Sequence, residues 1–150
     1  MDPLSLTASV IAVIGAADST GKGLLKLIAL RGVPDIVLAL NNEIAELKLM
    51  LHELEALLYD TTLSEVSRAH LNSSVLPNVL RAKDRLDALR TVTEQELHRR
   101  DGSINRAAWL KVERKVCRIQ ISLRDSRQSI NVALSIVNRY VLLHKCRHCL

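Results

Sequence analysis

A chain of 150 residues is long enough to bury one core without disulfide or metal staples, which predicts a single domain over residues 1–150. Aromatic residues make up 2% (no Phe, Trp109, Tyr59 and Tyr140), and Gly and Pro number five and three, so a turn-rich β fold is excluded and an all-α core of Leu, Ile, Val and Ala is expected. The net charge of +5 is divided: residues 1–60 carry four Lys/Arg against eight Asp/Glu, whereas residues 61–150 carry seventeen against eight. Such a split either draws the two halves together or leaves a basic face for an anionic partner.

The first element begins at Asp2-Pro3, an N-cap followed by a proline whose missing N–H costs nothing in the first helical turn. LSLTASVIAVIGAA follows over residues 4–17, an apolar run that requires burial in protein or in lipid. It lacks a basic flank before it and falls short of the roughly 20 residues that a spanning helix needs, so a soluble, cytoplasmic resting form is expected. Gly15, Gly21 and Gly23 predict a hinge inside or after this helix, and Gly32-Val33-Pro34 ends the region.

From Asp35 to Tyr59, the residues Val37, Leu40, Ile44, Leu47, Leu51, Leu54 and Leu58 alternate in steps of three and four, with Glu43, Glu46, Glu53 and Glu55 as flanks. The Ser/Thr-rich stretch 61–74 reads as mostly connector, with Thr62 and Glu65 as a capping box for one short helix. A third helix is expected over about Leu76 to His98, with Pro77 in its first turn and Val79, Ala82, Leu86, Leu89, Thr93 and Leu97 on one face. Asp101-Gly102 marks a turn and Ser103 a cap. The fourth helix is the longest, over about 104–144, with a seam of Val112, Val116, Ile119, Leu123, Ser126, Ile130, Ala133, Val137 and Tyr140 and a candidate break at Asp125-Ser126. These elements predict an antiparallel bundle of about four helices with a long C-terminal helix.

Chemistry-bearing patterns are few. Gly15 to Gly23 resembles a phosphate-binding loop but fails it: five residues separate Gly15 from Gly21-Lys22, and Gly23 stands where the magnesium-binding hydroxyl belongs. His144, Cys146, His148 and Cys149 crowd the C-terminus, yet a structural zinc site draws ligands from two separated knuckles, so no metal or other cofactor is expected. Three clustered cysteines do not make a secreted disulfide framework. His52, His70 and His98 lie beside charged residues, and Glu53 and Glu55 diverge on a helix, so nothing points to an enzyme. Lys111, Arg114, Lys115 and Arg118 fall on one helical face, a candidate basic surface for anionic lipid or for the acidic second helix. The scarcity of aromatic residues argues against nucleic acid.

Three stretches together carry a resemblance: MDPLSLTASVIAVIGAA at the start, LPNVLRAKDRLDAL over 76–89, and AAWLKVERKVCRIQISLRDSRQSINVALSIVN over 107–138. In that order they resemble the fungal N-terminal domain of STAND proteins, the HeLo-like or SesA-like helical effector end of fungal NOD-like receptors. The resemblance implies a helical bundle that signals by self-association. It also implies that Leu4, Leu6, Val10, Ile11, Val13 and Ile14 belong to a segment that enters an anionic membrane on activation, in incompatibility or cell-death signalling. The C-terminal Cys/His cluster is not part of that pattern. The chain holds no nucleotide-binding or repeat region, so a stand-alone version or the excised end of a receptor is expected. The alternative is a helical adaptor that binds another protein through its heptad faces without any membrane.

Overall fold

The computed structural model describes residues 3–29, 33–97 and 106–148, and among these the protein is all-helical, with short connections and no strand. Four long helices succeed one another: α1 (Pro3–Ile28), α2 (Asp35–Tyr59), α3 (Glu65–Thr91), which runs on into one π turn over Val92–Glu96, and α4 (Arg106–His148). Helix α1 packs against α2 and α3, and α4 packs against α3 and α2. Helices α1 and α4, and likewise α2 and α3, make few or no contacts, so the helices form a ring in the order α1, α2, α4, α3.

Specific contacts set the directions. Asp18 of α1 meets Lys48 of α2, beyond the connection that reverses the chain. Arg85 Nε donates to Ser122 Oγ at 3.2 Å, Glu96 faces Lys115, and Ser64 to His70 lie beside Ile136 to Tyr140. The α1/α2 and α3/α4 pairs are therefore antiparallel. Thr20 Oγ1 donates to the Leu86 carbonyl at 3.4 Å, and Lys26 and Leu27 adjoin Thr93 and Glu94, so α1 and α3 run in the same sense.

Each helix earns its place by one heptad-spaced face. Leu6, Val10, Val13, Ala17, Thr20, Leu24 and Leu27 of α1 are buried, while Ala8, Ile11, Ala12 and Gly15 face outward. The glycines do not form a hinge. Helix α1 is continuous through Gly15, Gly21 and Gly23, because buried Ala17, Thr20 and Leu24 bracket them and packing holds the turns in register. In α2 all seven predicted seam residues are buried.

Glu43, expected as a flank of the seam, is buried as well, and its carboxylate accepts from Arg127 of α4 at 2.5 Å. Arg124 approaches the same carboxylate at 3.6 Å, and Arg127 reaches Glu46 at 3.0 Å. The acidic and basic halves of the chain are thus tied directly. This hydrogen bond to Glu43 is the main reason that the Arg127 guanidinium titrates above its ordinary value.

The third helix departs most from expectation. It starts at Glu65 rather than near Leu76, and its cap is Ser64, whose hydroxyl accepts from the Ser67 amide at 3.2 Å. Thr62 instead donates from its amide and hydroxyl to Asp60 at 2.8 and 2.7 Å. Burial of Leu71, Val75 and Leu76 outweighs the low helix propensity of the serines. Pro77 consequently sits inside α3, on its exposed side. Arg68 locks the connection, donating to the carbonyls of Leu58 and Asp60 at 2.9 and 2.6 Å and so closing the C-terminus of α2.

Helix α4 has no break at Asp125-Ser126. Its seam is buried from Val112 to Val137, but Tyr140 is 59% exposed, because there the helix reaches the end of the bundle. His98, the Asp101-Gly102 turn and the Ser103 cap lie outside the described residues.

Candidate interaction surfaces

The apolar N-terminal segment is a core element in this structure. Leu6, Val10 and Val13 are fully buried, Ile14 is partly buried and Ile11 is 47% exposed. Leu4 lies within α1, but its side chain lies outside the described residues. Each fully buried aliphatic side chain contributes about 2 kcal/mol relative to exposure in water, so α1 leaves the bundle only for another apolar environment. Polar contacts hold it as well, among them Asp18 with Lys48 and Thr20 with the Leu86 carbonyl. No described helix is long and apolar enough to cross a membrane.

The predicted basic face is exposed along α4. Lys111, Arg114, Lys115 and Arg118 line one wall of a cleft of about 360 Å³, with Ile119 at its base and Arg85 and Ala88 of α3 opposite. Arg85 was not foreseen, although Arg81 and Arg85 share one face of α3 by their four-residue spacing. Its hydrogen bond to Ser122 aims the guanidinium across the cleft. Among the described residues, Glu96 is the carboxylate that reaches this group, at 3.7 Å from Lys115 Nζ. Five cations against one carboxylate repel one another, and a bound anion relieves that repulsion. Arginine adds bidentate geometry for phosphate or carboxylate.

A second cleft, of about 440 Å³, opens at the opposite end of the α3/α4 pair. Val66, Ile136, Val137 and Tyr140 give it an apolar lining, rimmed by Ser64, Ser67 and His70. Leu142 and Leu143 continue the apolar surface along α4.

The remaining patterns do not assemble into chemistry. Residues 15–23 are helical, so their amides are committed to the helix and cradle no phosphate. No three His, Cys, Asp or Glu side chains converge on a metal position among the described residues. Cys117 is partly exposed and Cys146 exposed, whereas Cys149 and the side chains of His144 and His148 lie outside the described residues. Comparison with protein-family models, curated proteins and solved structures finds no significant match to this chain. The described residues thus form a four-helix bundle whose N-terminal helix buries one apolar face, and whose surface clefts include one basic and one apolar.

Proposed function

We propose that the chain is a non-enzymatic signalling module that couples self-association to a response through release of α1 to an anionic membrane. The observation that carries this reading is the state of α1. One face of its most apolar turns, Leu6, Val10 and Val13, is fully buried within the bundle, where α1 packs against α2 and α3, and Ile11 on the other face is exposed. Such a helix has two environments of comparable apolarity available to it, protein core and lipid, and a competitor for its groove shifts the balance. The five-cation cleft supports the same reading, because it offers an anionic surface a place to dock. The resemblance to fungal STAND N-terminal domains adds the context of incompatibility or cell-death signalling. A cytoplasmic resting form that becomes membrane-associated on activation fits this scheme.

Vesicle leakage tests it, and the burial pattern dictates the variants. Leu6→Asp and Val10→Asp strike the core as well as the inserting face, whereas Ile11→Asp changes an outward position. The intact chain is expected to release dye from anionic vesicles, and Ile11→Asp is expected to lose at least about tenfold in leakage with an unchanged melting temperature. Equal leakage from the intact chain and all three variants sinks the insertion model.

The apolar cleft at Val66, Ile136 and Tyr140 favours a second reading, a helical adaptor for another protein with no lipid involved. Co-purification of a helical partner without vesicle binding would select it.

A further inference from the structure

Helix α2 carries a second heptad stripe, opposite its buried seam. Asp35, Leu38, Asn42, Ala45, Leu49, His52, Ala56 and Tyr59 follow one another in steps of three and four, and every one is exposed. Leu49 and Tyr59 are 67% and 64% exposed. Leu38, Leu49 and Tyr59 are the stripe's large apolar members, and the bundle leaves all three exposed.

From the order of side-chain sizes along this stripe, we infer that α2 pairs antiparallel with α2 of a second copy, about a two-fold axis level with Leu47. That arrangement opposes Ala45 to Leu49, Asn42 to His52, Leu38 to Ala56 and Asp35 to Tyr59, each pair occurring twice. Every apolar layer then matches one large side chain with one alanine, and the alanines let the backbones approach. The polar layer joins two side chains that can hydrogen-bond each other, and the end layer sets a phenol opposite a carboxylate. A parallel pair sets Ala45 against Ala45 and Ala56 against Ala56, leaving voids, and it opposes two Asp35 carboxylates.

The size of the surface sets the strength. A helix of 25 residues is about 37 Å long and presents roughly 400 Å² to a partner, so the pair buries about 800 Å², below the range of stable specific dimers. The result is a monomer–dimer equilibrium driven by concentration. This is the grade of association suited to a module that rests as a monomer and is activated by clustering, and the inference rests on the self-association proposed above.

Electrostatics separates this pairing from its main rival, insertion of acidic α2 into the basic α3/α4 cleft of the next copy. The isologous pair joins chains of like net charge, with Glu53 of both copies beside the interface, so salt strengthens it. The head-to-tail contact joins opposite charges and weakens with salt.

Sedimentation equilibrium over about 10 µM to 1 mM, in reducing buffer at low and high salt, tests the pairing with the intact chain, Leu49→Glu and Ala45→Lys. The intact chain should dimerise, more strongly at high salt. Each variant alone should weaken the dimer about tenfold or more, with its melting temperature kept. An equimolar mixture of the two should recover to within about threefold, because the antiparallel register sets the new lysine of one chain opposite the new glutamate of the other. Four results overturn the inference: dimers indifferent to both substitutions, no recovery on mixing, weakening by salt, or a monomer throughout. The first three leave self-association standing through another surface. The last removes self-association too, while vesicle leakage still judges the membrane step separately.

Discussion

Ser126 shows how much a single buried group can matter. It is fully buried in the middle of α4, and its hydroxyl has no hydrogen-bond partner. An unpartnered hydroxyl in an apolar layer loses its hydration without replacement, so Ser126→Ala is expected to stabilise the fold by about 1 kcal/mol, read as a higher urea midpoint. The glycines of α1 make a parallel case. A side chain added at Gly15 or Gly21 meets nothing within 4 Å, and both residues are helical. Gly15→Ala and Gly21→Ala should each add about 0.5–1 kcal/mol by thermal unfolding. Destabilisation by either would show that these positions require the freedom of glycine. Glu43 carries a different lesson: its spacing places it only on the flank of the seam, and the approach of α4 makes it a buried anchor for Arg127.

At the scale of the element, α1 is held by its apolar face and by the contact between Asp18 and Lys48. Lys48 donates a hydrogen bond to the Asp18 carboxylate and thereby holds that carboxyl below its ordinary pKa. Folding therefore gains from the ionised form. The gain is complete above the unfolded carboxylate value, near pH 4, and is lost as pH falls through the lowered folded value. Asp18→Asn should remove that portion of the acid dependence of stability, measured as melting temperature between about pH 2 and pH 6. A variant whose acid profile overlays that of the intact chain would show that the contact does not hold α1. Helix α3 shows why Ser/Thr content misleads: the serines and asparagine of residues 65–74 are weak helix formers, but burial of Leu71, Val75 and Leu76 carries the helix back to Glu65.

Across the whole molecule, charge is distributed so that only part of it is spent on the fold. Arg124 and Arg127 bind α2 and Arg85 bonds to Ser122, while Lys111, Arg114 and Arg118 remain exposed around the α3/α4 cleft, beside a Lys115 that faces Glu96. Replacing Arg114 and Arg118 with Glu should weaken cosedimentation with anionic vesicles by about tenfold or more, and should flatten its dependence on salt. Neutral vesicles should bind neither form. Undiminished binding by the double variant would remove the cleft from the membrane-facing role.

What the sequence determined by itself was periodic and local. The heptad face of α2, the faces of α3 from Val79 to Leu97 and of α4 from Val112 to Val137, and the shared face of Lys111, Arg114, Lys115 and Arg118 all follow from helical spacing. Spacing alone also placed Tyr140 on the seam, since periodicity does not say where a neighbouring helix ends. Tertiary structure decided which helices meet. It brought Arg85 to the basic cleft, put Glu43 under Arg127, and left the second stripe of α2 outside the ring. The physical reason is that burial depends on contacts between residues far apart in the chain. The pattern of one helix shows which faces can pack, and the arrangement of all four shows which of those faces are covered.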